Sequence, residues 1–134
     1  MLLVVDIHAL SDDSWRSSMI GVDSWDEYHA ACVHDQPVSA TIDLVNSMRR
    51  SGNTVIGISA RPEKWRKLTN EWLIKYKVDL SELIMREDID FRPSIDIKKD
   101  IVKRLHPVAF VIDDKEDVCR AVTSMGISTL QVRR

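Results

Sequence analysis

Apolar residues are laid along this chain in two alternating rhythms. Residues 1–5 form an unbroken apolar run, the pattern of a central parallel strand covered on both faces. Further strand-like stretches recur at 54–58, 83–85, 108–112 and 127–132. Between them the spacing lengthens to three or four residues: Ile42, Val45 and Met48; Trp65, Leu68, Trp72 and Tyr76; Ile97, Ile101 and Leu105; Val118, Ala121, Val122 and Met125. Each set predicts the buried stripe of an amphipathic helix. Gly52 and Gly126 are placed as left-handed stops, Pro62 as a first helical residue and Ser94 as an N-cap. The polar stretch 11–36 has no long period, although residues 25–32 fit a short helix.

Strands alternating with helices over short connections call for an α/β fold of three layers, a doubly wound parallel sheet with helices on both faces. The 134 residues suit one ordinary domain, expected to span 1–134 with 11–37 as a short, minimal cap-like insert. A hydrophobic share of 44% and a charged share of 30% exclude disorder and a disulfide scaffold. The net charge of −2 gives no broad basic field, so any polyanion contact is local, as at Arg49-Arg50 or Arg133-Arg134. The opening apolar run stops at Asp6, too soon for a secretory core or a membrane span. Cys32 and Cys119 lack paired spacing, which fits a reducing cytoplasm; both fall on helical patterns as core residues.

In such sheets ligands sit beyond the carboxyl ends of the strands. Three strands end there in polar residues: Asp6 after the first, Ser59 after the second and Asp113-Asp114 after the fourth, with Lys98 near the start of a later helix. Each alone has a plain explanation as a turn, cap or solvated residue. Together they make a site. Two carboxylates about 4 Å apart repel by roughly 4 kcal/mol at an effective dielectric near 20, and a cation must offset that. With oxygen ligands only and no His or Cys cluster, Mg²⁺ is the natural ion, and it leaves room for a phosphate.

This order of residues resembles the haloacid dehalogenase superfamily. More narrowly, the chain is similar to the phosphatase domain of bacteriophage polynucleotide kinases and their stand-alone relatives. The likeness is carried by Trp25-Asp26-Glu27-Tyr28, Asp35-Gln36-Pro37, Ile58-Ser59-Ala60-Arg61, Leu83-Ile84-Met85-Arg86, Phe91-Arg92-Pro93, Ile97-Lys98, Ile112-Asp113-Asp114-Lys115 and Leu130-Gln131-Val132, and it covers essentially the whole chain. It implies that Asp6 is the nucleophile and a metal ligand, that Ser59 and Lys98 bind phosphate, and that Asp113 completes a Mg²⁺ site with Asp114 beside it. Arg61, Arg86 and Arg92 match basic positions and are candidate substrate contacts, with structural ion pairs as the alternative. The implied reaction is phosphomonoester hydrolysis on a nucleotide or a nucleic-acid 3′-phosphate. No Gly-x-x-x-x-Gly-Lys-Ser/Thr stretch occurs, so a 5′-kinase activity is not expected.

Motif one departs from the family. The usual Asp-x-Asp-Gly-Thr is replaced by Asp6-Ile7-His8-Ala9-Leu10, one residue shorter, with His8 at the acid/base position. The carbonyl of residue 8 can still ligate a metal. For the side chain two readings stand: an imidazole that serves as acid and base, or a weakened site whose module binds a phosphorylated ligand or a host protein. A phosphotransferase is a third expectation. The short insert suggests an open site, where Trp15 or Trp25 either stacks on a base or anchors the loop. His29, His34 and His106 have no ligand spacing.

Overall fold

The structure, a computed structural model, describes residues 1–134. In chain order its elements are β1 (Leu2–Asp6), α1 (Ile7–Leu10), β2 (Ser11–Asp12), α2 (Trp25–Ala30), β3 (Gln36–Pro37), α3 (Ser39–Arg50), β4 (Thr54–Pro62), α4 (Arg66–Lys75), β5 (Glu82–Arg86), α5 (Ser94–Leu105), β6 (Phe110–Asp113), α6 (Glu116–Ser124) and β7 (Ser128–Gln131). Five strands form one parallel sheet in the order β5-β4-β1-β6-β7, so the first strand lies at its centre. Alternation along β1 divides the core in two. Leu3 and Val5 pack with Val45, Trp72 and Leu73 from α3 and α4. Val4 packs on the other face with Ile97, Ile101 and Val122 from α5 and α6. The three-layer, doubly wound reading therefore holds, and Cys32 and Cys119 are buried free thiols. No helix is long and apolar enough to cross a membrane.

Several boundaries differ from the sequence pattern, each for a local reason. The strand expected at 54–58 continues to Pro62, because β4 re-pairs with β5 beyond a register shift between Ser59 and Pro62. Pro62 thus ends a strand instead of opening a helix, and a 3₁₀ turn, Glu63–Trp65, intervenes before α4. Ser94 is the first residue of α5, not its cap; Pro93 holds that position with no side-chain bond. The helix expected at 25–32 breaks at Ala30 into a 3₁₀ turn, Ala31–His34. Gly52 and Gly126 do adopt φ of +90° and +83°, as helix-ending glycines should.

Residues 11–37 form an excursion between α1 and α3, closed by the antiparallel pairing of β2 with β3. What organises this excursion is a buried charge. Arg16 has no exposed surface, and its guanidinium donates through Nε and Nη2 to the two carboxylate oxygens of Asp35, each at 2.9 Å. It also donates to the Tyr28 carbonyl at 2.8 Å and lies over the Tyr28 ring. Trp15 donates to Asp35 Oδ1, and Trp72 of α4 donates to the Asp35 carbonyl. Trp15 is thereby fixed as an anchor. Arg16→Ala or Asp35→Ala should each cost about 3–5 kcal/mol in chemical denaturation, because each strands a buried charge. The paired change Arg16→Met with Asp35→Leu should cost less than either.

Candidate active site

The sheet places its like charges side by side. Val5 of β1 is in register with Ile112 of β6, so the next residues, Asp6 and Asp113, end adjacent strands at the same edge. Both are buried, at 2% and 0% exposure. With Asp114 they offer carboxylate oxygens that all lie within 4.8 Å of one another. Lys98 rises from the first turns of α5 between them, its Nζ 3.2 Å from Asp6 Oδ1 and 3.0 Å from Asp113 Oδ2. The other oxygens meet backbone donors: His8 N–H reaches Asp6 Oδ2 at 3.1 Å, and Lys115 N–H reaches Asp113 Oδ1 at 2.9 Å.

Lys98 serves Asp6 and Asp113, and Arg134 pairs with Asp114 at 2.9 Å, so two close cations face three crowded carboxylates. Burial raises the Asp6 carboxyl, Lys98 opposes the rise, and the charge on Asp114 adds to it. Asp113 is pushed up to about 7 by burial and by Asp6. Burial works against the Lys98 ammonium, but its two carboxylate partners outweigh this and hold it above an ordinary lysine. A divalent cation fits the hollow on a specific observation: Asp114 Oδ1 is buried with no hydrogen-bond partner. An all-oxygen donor set with one orphaned anionic oxygen is what Mg²⁺ takes.

Beside this cluster stand a hydroxyl and a guanidinium with donors to give. At the β4 irregularity the Ser59 hydroxyl accepts the Arg61 N–H at 3.0 Å, which leaves its own proton to give. Arg61 is buried and has no carboxylate partner; it donates to Thr69 Oγ1 at 2.7 Å while its Nε has no partner. Burial lowers its pKa. Arg86 and Arg92 line the same cleft but are differently engaged. Arg86 pins the carbonyls of Ala60, Asp90 and Arg92, and Arg92 is paired with Asp90 and Asp100. Of the three arginines, Arg61 alone keeps an unspent donor on a buried guanidinium.

His8 keeps 23% of its side chain open to the cleft, with Nδ1 3.5 Å from Asp13 Oδ2 and Nε2 3.5 Å from Arg61 Nη2. A donor facing Nε2 and an anion facing Nδ1 favour the tautomer with its proton on Nδ1. Burial lowers its pKa well below the ordinary histidine value; Asp13 opposes this, and Arg61, Arg16 and Lys98 reinforce it. This direction favours the neutral imidazole. Burial works against the Asp13 carboxylate, but the facing His8 when protonated, with Arg134 and Arg16, outweighs it and lowers that carboxyl. The missing Gly-Thr of motif one has a packing counterpart, since Ala9 and Leu10 are wholly buried in the core.

The cleft above measures about 830 Å³ and includes Asp6, His8, Arg61 and Lys98 in its walls. Trp25 is 61% exposed and Phe91 89% exposed, and both line it. Trp25 is thus no buried anchor, although its helical position suggested one. Asp13 and Arg16 carry no signal in the sequence, Asp35 enters only within a stretch of the resemblance and Arg134 only as part of a basic pair. They lie in unpatterned segments, and only the fold brings them together.

An edge that gathers Asp6, Ser59, Lys98, Asp113 and Asp114 at the ends of a β5-β4-β1-β6-β7 sheet defines a haloacid-dehalogenase-like domain. The chain belongs to the family of polynucleotide kinase PNKP phosphatase domains, whose model matches residues 18–134. Asp6 and His8 precede the matched stretch. Similar solved structures include a chain of the Pnkp1/Rnl/Hen1 complex, 24% identical with a TM-score of 0.80 over 98% of this chain and 45% of that one. The class C acid phosphatase from Bacillus anthracis is 16% identical, with a TM-score of 0.69 over 97% of this chain and 64% of that one. A HAD family enzyme from Bacteroides thetaiotaomicron, bt-2542, in complex with magnesium and inorganic phosphate, is 15% identical with a TM-score of 0.59 over 97% and 92%. This chain spans under half the length of the Pnkp1 complex chains that it matches. No curated protein matches the sequence.

The crowding predicts a pH dependence. The Asp113 carboxyl titrates near 7 in the fold against 3.8 in the unfolded chain, so the fold retains a proton that the unfolded chain gives up. Asp113 therefore contributes metal-free stability that is lost as pH rises from about 4 to about 7, while His8 and His29, whose pKa values burial lowers, contribute in the opposite sense below about 6.5. In thermal unfolding with chelator present, Asp113→Asn should remove this loss and melt higher than the unaltered protein at pH 7.

Proposed function

We propose that this chain is a Mg²⁺-dependent phosphomonoester hydrolase that works through an aspartyl phosphate on Asp6, with a 3′-phosphorylated nucleic-acid end or a nucleotide as substrate. The observation that carries the reading is the convergence of Asp6, Asp113 and Asp114 within 4.8 Å, around Lys98 and beneath a cleft that holds an unpaired Arg61. Asp6, Asp113 and Asp114, with the His8 carbonyl, would hold the ion. When bound, it supplies charge to neutralise these carboxylates and the oxygens of a transferring phosphoryl group.

The chain's own residues supply the rest. Ser59, Lys98 and Arg61 bind the phosphate oxygens and turn phosphorus toward Asp6. A carboxylate oxygen of Asp6 forms a bond to phosphorus as the ester P–O bond breaks, and the departing alcohol takes a proton from water in the open cleft. Water then attacks the same phosphorus and releases phosphate, restoring the Asp6 carboxylate. A neutral His8 with a lone pair on Nε2 suits the second half, where it accepts the proton of that water. Trp25 and Phe91, exposed on the cleft walls, offer faces for a terminal base.

A second reading draws on the replacement of the acid/base aspartate by a neutral imidazole: the same cleft binds a phosphorylated ligand without turnover. Release of phosphate from a 3′-phosphorylated oligonucleotide, with and without Mg²⁺, separates the two. The hydrolase reading predicts Mg²⁺-dependent release that Asp6→Asn abolishes with little change in melting temperature. His8→Ala should lower turnover by on the order of 10²- to 10⁴-fold. No turnover with any phosphomonoester, together with a phosphate-dependent rise in melting temperature, would favour the binding module.

A further inference from the structure

Arg134 reaches the site from an unexpected side. Beyond β7 the chain is led across the carboxyl edge of the sheet, where Val132 N–H donates to the Asp113 carbonyl at 2.9 Å. Two residues later the Arg134 side chain, 11% exposed, turns inward over motif one. Its Nε donates to the His8 carbonyl oxygen at 2.8 Å, its Nη1 to Asp12 Oδ1 at 2.6 Å, and its Nη2 to Asp114 Oδ2 at 2.9 Å and to Asp13 Oδ1.

Two of these acceptors belong to groups assigned above to the ion, and they come from opposite ends of the sequence. Arg134 binds Asp114 through Oδ2, and the partner oxygen Oδ1 is the buried atom left without a partner. Securing one oxygen of a carboxylate fixes the direction of the other. The same planar fork holds the carbonyl of residue 8, in a turn that lacks the Gly and Thr usual in the family.

We propose that Arg134 is a positioning residue for the cation site: one guanidinium fork holds the His8 carbonyl and the Asp114 carboxylate at a fixed separation, replacing turn geometry that the shortened motif one lacks. This rests on the Mg²⁺ reading above. Groups one bond removed from metal ligands orient them and typically contribute 10- to 100-fold in affinity. The role requires the fork, not merely the charge, because an ammonium cannot span acceptors in fixed directions.

Isothermal titration of the metal-free protein with MgCl₂ tests this, with Arg134→Lys and Arg134→Gln beside the unaltered chain and melting temperatures recorded in chelator. Both variants should melt within a few degrees of the parent and bind Mg²⁺ on the order of 10-fold or more weakly. Lysine should fail to rescue. Lys binding like the parent would overturn the proposal by showing that charge suffices. Tighter binding by Arg134→Gln would overturn it by showing that the guanidinium competes with the ion, and loss of the metal-free fold in both variants would make Arg134 a stability residue instead. Absence of Mg²⁺ binding by the parent would refute the metal reading itself, whereas equal binding by all three refutes only the role of Arg134.

Discussion

Repulsion among carboxylates at one edge of the sheet is the constraint around which this molecule is arranged. Parallel strands pair in fixed register, so aspartates ending β1 and β6 are brought together by the backbone, whatever their charges prefer. Buried carboxylates at such separations repel by several kcal/mol unless a cation intervenes. Lys98, presented by the helix that crosses between β5 and β6, supplies part of the offset and bonds to both. Arg134 pairs with Asp114 through Oδ2, yet Asp113 is pushed up to about 7 by burial and by Asp6, and Asp114 Oδ1 stays buried without a partner. A fold that tolerates such a site is poised to take up positive charge.

Around that hollow, cations are distributed unevenly. Arg86 and Arg92 give their donors to loop carbonyls and to Asp90 and Asp100, so they shape the cleft wall. Arg16 is consumed by Asp35 and organises the excursion between β1 and α3. Arg61 is buried without an anion, and the free energy spent in desolvating it is recovered only when an anion arrives. On the proposed reading, phosphate oxygens would meet that unpaired guanidinium and Lys98 on the flank of the carboxylate cluster.

The scaffold was legible in the sequence because it rests on periodicity. Buried strands such as β1 and amphipathic stripes such as that of α5 repeat over enough residues to be read, and the polar residues that interrupt them at one edge mark the site. Asp6, Ser59, Lys98 and Asp113 converge for that reason. Local chemistry was harder. Pro62 and Ser94 each obey a helix-start rule in isolation, yet Pro62 continues β4 past its irregularity and Ser94 lies inside α5, because sheet pairing and chain entry override single-residue preference. The partners of Arg16 and Arg134 lay out of reach altogether. An ion pair spanning 19 positions, or a fork reaching from residue 134 back to residue 8, leaves no trace in spacing.

Anomalous diffraction from crystals soaked in Mn²⁺, a stand-in for Mg²⁺ that can be located by its scattering, tests the central claim most directly. The account predicts one strong peak in the hollow bounded by the Asp6, Asp113 and Asp114 carboxylates. An empty hollow at saturating Mn²⁺, with Lys98 alone bridging the two strand ends, would contradict it.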